Sequence, residues 1–269
     1  MDVLVPHSLA EALALKADRP DAVPVAGGTD LMVELNAGRQ RPAALLDLSR
    51  VEELKTGWRD DGTVFLGAGM TFARIADELG VFPPLVQAAR SVGSAQIRRR
   101  GTIGGNIATA SPAGDGIAVL AAYDADVVVA RTGLTRRVPW DEFCTGPKRT
   151  SLAADELIVG VEWRVAEGPG SFAKVGVRGA MVIAIASACI QLDQGGRIRL
   201  ALGSVAPTVI RARDAETFAA THDDPVGFGR LAARAARPID DVRGSAAYRR
   251  HAVEVLARRG LAGVLEAPC

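Results

Sequence analysis

Two segments combine residue types suited to holding a phosphorylated ligand: Val25-Ala26-Gly27-Gly28-Thr29-Asp30 and the stretch from Thr102-Ile103-Gly104-Gly105-Asn106 through Thr109 to Asp115. Paired glycines let a backbone approach a ligand closely and adopt positive φ. Exposed N–H groups with a helix start behind them suit a pyrophosphate. Thr29, Thr102, Asn106 and Thr109 offer hydrogen bonds to phosphate or sugar oxygens. Asp115, which only accepts when ionised, suits sugar hydroxyls. The plainer reading of either segment is a tight turn, and two such segments, one of them long, weaken it. Neither ends in the Lys-Ser/Thr of a nucleotide-hydrolysing phosphate loop, which argues against ATP or GTP hydrolysis. Gly67-Ala68-Gly69 follows a strand-like run, but Phe72 stands where a dinucleotide fingerprint needs its third glycine, so a strand-to-helix turn explains it.

The surrounding pattern alternates short β and α signals. Ser8-Leu9-Ala10-Glu11 reads as a capping box opening a helix over 9–17. Residues 22–26 read as a buried strand feeding the first glycine pair, and 29–37 as a helix stopped by Gly38. Strands are expected at 43–48 and 63–67, and Thr71 caps a helix that points Ile75, Ala76 and Leu79 inward. Residues 101–115 show neither period and read as a long loop, of the kind that usually has a function. Strand character resumes at 127–129 and 157–161. Glu167-Gly-Pro-Gly-Ser171 marks a domain boundary, followed by strands at 181–192 and 197–205 and then mostly helix.

Bulk properties exclude several functions. The 269 residues carry 32 Lys and Arg against 31 Asp and Glu, a balance that gives nucleic-acid binding no support. The most apolar run, 180–192, is too short to cross a bilayer. The amino terminus shows no cationic-then-apolar leader, so a cytoplasmic location is expected. Cys144, Cys189 and Cys269 are too sparse for a disulfide framework and too scattered for an iron–sulfur cluster on this chain alone. His7, His222 and His251 are dispersed, and no catalytic acid–base pair, nucleophile or metal site is expected.

At its two glycine segments the chain resembles the FAD-binding subunits of the xanthine dehydrogenase and carbon monoxide dehydrogenase family. The likeness continues through Gln96-Ile97-Arg98, Thr145-Gly146, Asp155-Glu156-Leu157-Ile158, Phe172-Ala173-Lys174 with Arg178, and Gly203 to Pro207. It ends in Asp240-Asp241-Val242-Arg243-Gly244 with Tyr248-Arg249-Arg250. Gly179 and Pro147-Lys148-Arg149 depart from the family pattern. The resemblance implies an α+β fold of the vanillyl-alcohol oxidase/molybdopterin dehydrogenase type rather than Rossmann. Residues 1–166 would form the FAD-binding domain, in two subdomains split near 55, and 170–269 a smaller domain of antiparallel sheet plus helices.

It further implies noncovalent FAD, with Val25–Leu31 and 102–106 holding pyrophosphate and the adjoining sugar. Thr109 and Asp115 would lie around the ribityl chain, and Ile158 and Lys174 near the isoalloxazine ring. Molybdopterin would reside on a large partner subunit and two [2Fe–2S] clusters on a small one, with NAD, a quinone or oxygen as final acceptor. Substrate would be oxidised on the large subunit and is open among purines, carbon monoxide, aldehydes and N-heterocycles. The rival readings are a self-contained flavoprotein oxidase and a flavin-free bridging subunit. The first lacks a large substrate domain and a histidine beside either loop; the second leaves the glycine segments unexplained. Gly104→Val is expected to expel flavin without unfolding the chain.

Overall fold

A computed structural model describes residues 1–165, 168–193 and 195–267. Part of the expected boundary, residues 166 and 167, and Cys269 lie outside the described residues.

The chain opens with β1 (Asp2–Leu4), α1 (Leu9–Asp18), β2 (Val23–Val25), α2 (Leu31–Asn36) and β3 (Ala44–Asp47). The strands form a parallel sheet in the order β1-β3-β2. Ser8 Oγ accepts from Glu11 N–H at 3.2 Å, and Glu11 reaches back to His7 N–H rather than to the cap residue. Gly38 takes φ +67° just beyond α2, which is how that helix stops.

Two short 3₁₀ turns lead into β4 (Gly57–Asp60), β5 (Thr63–Gly67), α3 (Phe72–Glu78), α4 (Pro83–Ser91), α5 (Ala95–Arg100), α6 (Ile103–Thr109) and α7 (Asp115–Ala122). There follow β6 (Asp126–Arg131), β7 (Leu134–Pro139), α8 (Trp140–Phe143), β8 (Cys144–Gly146), β9 (Arg149–Thr150) and β10 (Leu157–Arg164). The long strands make an antiparallel sheet in the order β4-β5-β10-β6-β7, with β8 and β9 as a separate pair. Thr71 Oγ1 accepts from Arg74 N–H to cap α3, which buries Ile75 and Ala76.

The C-terminal part contains β11 (Gly170–Val175), β12 (Ala186–Leu192), β13 (Ile198–Gly203), β14 (Ile210–Arg211), α9 (Arg213–Ala219), α10 (Pro225–Ala235) and α11 (Ala246–Leu265). Its sheet is antiparallel in the order β11-β12-β13-β14. Alternation along the strands gives it two packed faces. Phe172, Cys189 and Ala201 join the core shared with the N-terminal part. Ala188, Ile190, Leu200 and Leu202 face a second core completed by Phe228, Val253 and Leu261 from α10 and α11.

α7 is the junction of this arrangement, because all its residues are buried and it packs against both parts. Its ends are clamped by cations from the C-terminal sheet. Lys174 pairs with Asp115 at the start, and Arg199 and Arg211 pair with Asp124 just past the end.

Two expectations fail. Residues 101–115 are not a long loop: α6 occupies most of the stretch, capped by Thr102 and ended by Ala110 at φ +45°. Glycines disfavour a helix by about 1 kcal/mol each relative to alanine, and tertiary packing overrides that preference here. The strand expected at 181–192 begins only at Ala186. Met181 adopts φ +51°, and Met181 and Ile183 are exposed, so that apolar run is loop before it is sheet.

Candidate functional site

The two glycine segments, about 75 residues apart in sequence, meet in space. A Cβ built on Gly27 would fall 1.9 Å from the Arg100 carbonyl oxygen, so the first segment lies directly on the chain entering the second. A Cβ on Gly101 would contact Thr29 Oγ1 at 3.4 Å. Thr109 Oγ1 donates to Asp30 Oδ2 at 3.0 Å and also to Gly105 O at 2.9 Å, stitching the two together.

In the first segment, Val25 ends β2, Gly28 takes φ +74°, and Leu31 begins α2. Among the described residues, no acceptor engages the N–H groups of Gly27, Gly28, Thr29 or Asp30. These donors are free for a ligand, as a phosphate cradle requires.

The second segment differs. Ile103 N–H donates to Met70 O and Gly104 N–H to Ala68 O, both at 2.9 Å. Gly105 N–H donates to Thr102 Oγ1 at 3.1 Å, and Asn106 N–H to Thr102 O at 3.0 Å. The start of α6 therefore has its donors consumed internally. The partner is the Gly67-Ala68-Gly69 turn, itself held by bonds from Gly67 N–H to Thr56 O and from Gly69 N–H to Leu54 O. A Cβ at Gly104 would lie 2.6 Å from Ala68 Cβ and 2.7 Å from Ala68 O. Gly104 thus serves close packing, with no positive φ. Gly105 is exposed, and a Cβ there would meet only Thr102 Oγ1.

What α6 can offer a ligand is its side. Gly105 leaves it flat; Asn106 Oδ1, buried without a hydrogen-bond partner among the described residues, is packed against Gly116 of α7, where a Cβ would lie 2.8 Å from it.

Buried Asp115 and half-buried Lys174 form a short ion pair. Ser91 Oγ donates to the same carboxylate oxygen at 2.9 Å. Lys174 Nζ also donates to Ser91 O at 3.0 Å and Val182 O at 3.2 Å. Burial pushes the Asp115 carboxyl above its ordinary range, while Lys174 and Ser91 pull it down. Asp115 Oδ1 has no partner among the described residues. With Ser91 the pair joins α7, the end of α4 and β11, and Ser91 and Lys174 line a cleft of about 460 Å³. Arg90, Arg98, Phe172, Arg178 and Met181 line the same cleft. Ile158 is buried within β10.

Ser91 and Val182 escaped the sequence reading, because nothing local marks a serine at a helix end or a carbonyl as the third partner of a lysine. Lys148, at φ +56°, donates its N–H to Ala110 O and pairs with Glu34 at 3.2 Å, tying α2 to the region after α6. His222 stacks on Phe218 with ring centroids 4.3 Å apart, and His251 is exposed on α11. Cys144 and Cys189 are buried free thiols, the first pushed up to about 11 by burial and the second raised further. Among the described residues, no three His, Cys, Asp or Glu side chains could hold a metal ion, and no helix is long and apolar enough to cross a membrane.

Comparison with known proteins matches residues 1–163 to the family of FAD binding domains in molybdopterin dehydrogenase. Residues 171–264 match the CO dehydrogenase flavoprotein C-terminal domain. The chain is 32% identical to the putative xanthine dehydrogenase FAD-binding subunit of Escherichia coli K12, covering 94% of this chain and 91% of that one. It is 30% identical to the carbon monoxide dehydrogenase medium chain of Hydrogenophaga pseudoflava, covering 95% and 94%. The solved structure of carbon monoxide dehydrogenase from the latter organism superposes with a TM-score of 0.90 at 30% identity, over 98% of this chain and 97% of that one. Quinoline 2-oxidoreductase from Pseudomonas putida 86 gives the same TM-score at 28% identity, over 98% and 96%.

Proposed function

The chain belongs to the FAD-binding subunits of the molybdopterin dehydrogenases, and from that premise we propose that its glycine segments and the adjoining cleft form one flavin groove. It is an oxidoreductase subunit of α+β fold. In this reading 1–166 is the flavin-holding domain, divided near 55 where the 3₁₀ turns separate the two sheets, and 170–269 is the C-terminal domain.

The free N–H groups of Gly27 to Asp30 bind the pyrophosphate, with Val25, Ala26 and Leu31 framing them. Thr102, Ile103 and Gly104 shape the floor, and Gly105 lets the ligand lie against α6. Asn106 Oδ1 and Asp115 Oδ1 accept from ligand hydroxyls, and Thr109 orients Asp30. Lys174 holds the cleft wall where the ring sits, and Ile158, buried in β10, is the other residue assigned to the ring side. When bound, FAD supplies the redox chemistry linking [2Fe–2S] clusters of a small partner subunit to NAD, a quinone or oxygen. Substrate is oxidised at molybdopterin on a large partner subunit. Relatives named as medium chains, or as subunits of dehydrogenase complexes, support a heteromer. Two buried unpaired thiols support a reducing compartment, the cytoplasm.

One observation carries this reading: the N–H groups of Gly27 to Asp30 have no acceptor among the described residues, and the segment that carries them lies against the chain entering the second glycine segment. Neither segment contains a histidine or cysteine for attachment. Acid precipitation of the purified protein or its complex is expected to release yellow colour into the supernatant. Flavin retained in the pellet would refute noncovalent binding, and absence of flavin throughout would refute the reading itself.

A further inference from the structure

The C-terminal part carries a charge pattern that the flavin groove does not use. Residues 171–269 hold 14 Lys and Arg against 9 Asp and Glu, whereas residues 1–170 hold 18 against 22. Arginines of the C-terminal part that face inward or line its sheet are paired. Arg199 and Arg211 engage Asp124, Arg211 also engages Glu216, and Arg249 engages Asp241.

The outer helices contrast with this. Arg230 and Arg234 on α10 and Arg250, Arg258 and Arg259 on α11 are exposed, and among the described residues none makes an ion pair. Arg230, Arg234 and Arg258 lie together where the two helices touch. A Cβ at Gly229 would lie 2.6 Å from Glu254 O and 3.2 Å from Arg258 Cβ, so the segments carrying Arg230 and Arg258 are in contact. Arg230 and Arg234 are one turn apart, where like charges destabilise a helix. Glu254 lies one turn from both Arg250 and Arg258, yet it is half-buried and pairs with neither.

The free subunit thus bears unrelieved repulsion on a rigid two-helix surface whose inner side is fully packed. Guanidinium groups present planar forks that match carboxylates in pairs, and arginine is enriched at protein interfaces where lysine is depleted. A long polyanion is a poorer match, because the N-terminal part is net acidic and the whole chain carries only +1.

We propose that the outer face of α10 and α11 docks an acidic surface of a partner subunit. The proposal rests on the heteromeric reading above. It predicts assembly that weakens with salt, since the contacts are charged and solvent-exposed in the free subunit.

The test uses the heteromer, produced by co-expressing this chain with its partner subunits and sized by analytical ultracentrifugation at low and high salt. The variant Arg230→Glu/Arg234→Glu/Arg258→Glu is expected to assemble roughly tenfold more weakly or worse. Its flavin content and thermal unfolding should match those of the native chain. Glutamine at the same positions should give an intermediate loss with less risk to folding. Equal assembly of native chain and both variants at every salt concentration would overturn the docking face while leaving the heteromer intact. No complex with the native chain would overturn both. Binding of the native heteromer to phosphatidylserine vesicles, lost in the variant, would reassign the face to a membrane surface and overturn the proposal.

Discussion

The two glycine segments look alike in sequence and do opposite things. Gly27 to Asp30 turn their backbone donors outward, and Gly28 supplies the positive φ that makes this possible. Residues 102–115 turn inward: Gly104 is pressed against Ala68, the first N–H groups of α6 are spent on the protein, and Asp115 is held by Lys174. A glycine pair therefore signals closeness of backbone to something, and that something is a free groove in one case and the next turn of the protein in the other.

The sharpest way to break this contrast is Gly104→Val. The side chain would occupy the space of Ala68 backbone, so the fold should lose on the order of 3 kcal/mol or more, not flavin alone. Urea unfolding of the FAD-free chain decides it; near-native stability with flavin lost would restore the expectation that Gly104 lines only a ligand.

Lys174→Met tests the inward-facing carboxylate. Above its own titration range, a buried Asp115 without its cation should cost about 3–5 kcal/mol. The sign of the pH dependence follows from burial, which raises the folded carboxyl above its unfolded value. Native protein then holds the proton longer, so stability falls as pH rises from about 3.9 through the folded value. Removing Lys174 takes away a lowering influence and extends that fall to higher pH. Melting temperatures measured from acid to neutral pH should show the variant diverging downward from the native chain as pH increases; parallel curves would mean the pair is not coupled as described.

Gly28→Ala probes the outward segment. A Cβ at φ +74° would strain the backbone by about 1–2 kcal/mol and crowd Met32. Flavin affinity should drop by roughly tenfold, about 1.4 kcal/mol, as donors move off the phosphate. Fluorescence titration with FAD checks this, and undiminished affinity would remove Gly28 from the groove.

Thr109→Val should have the smallest effect. It loses the bonds to Asp30 and Gly105, about 0.5–1.5 kcal/mol of stability, with a modest loosening of flavin. A twofold to tenfold rise in dissociation constant is the expected range for such a loss, on the order of 1 kcal/mol.

Much of the local structure was legible before any coordinates. Thr71 and Ser8 cap the helices they precede, Gly38 stops α2, and 63–67 is a strand, because capping, positive φ and alternation depend on near neighbours. The family was legible too, since an ordered series of short motifs survives as text. α6 was missed, because its two glycines argue against a helix and only its docking onto Ala68 compensates. The apolar run at 181–185 was misread as strand, because nothing within it says that Met181 and Ile183 face solvent.

The site divides in the same way. Residue types alone picked out two segments and expected exposed N–H groups on both, and they could name glycines without saying what each glycine approaches. That Gly27 rests on Arg100, that Thr109 reaches Asp30, and that Lys174 joins Asp115, Ser91 and Val182 are contacts between residues up to about 80 positions apart. Such contacts form only when three sheets and α7 close around one another, so they were decided by the tertiary structure: distance along the chain carries no trace of distance in space once the chain is packed.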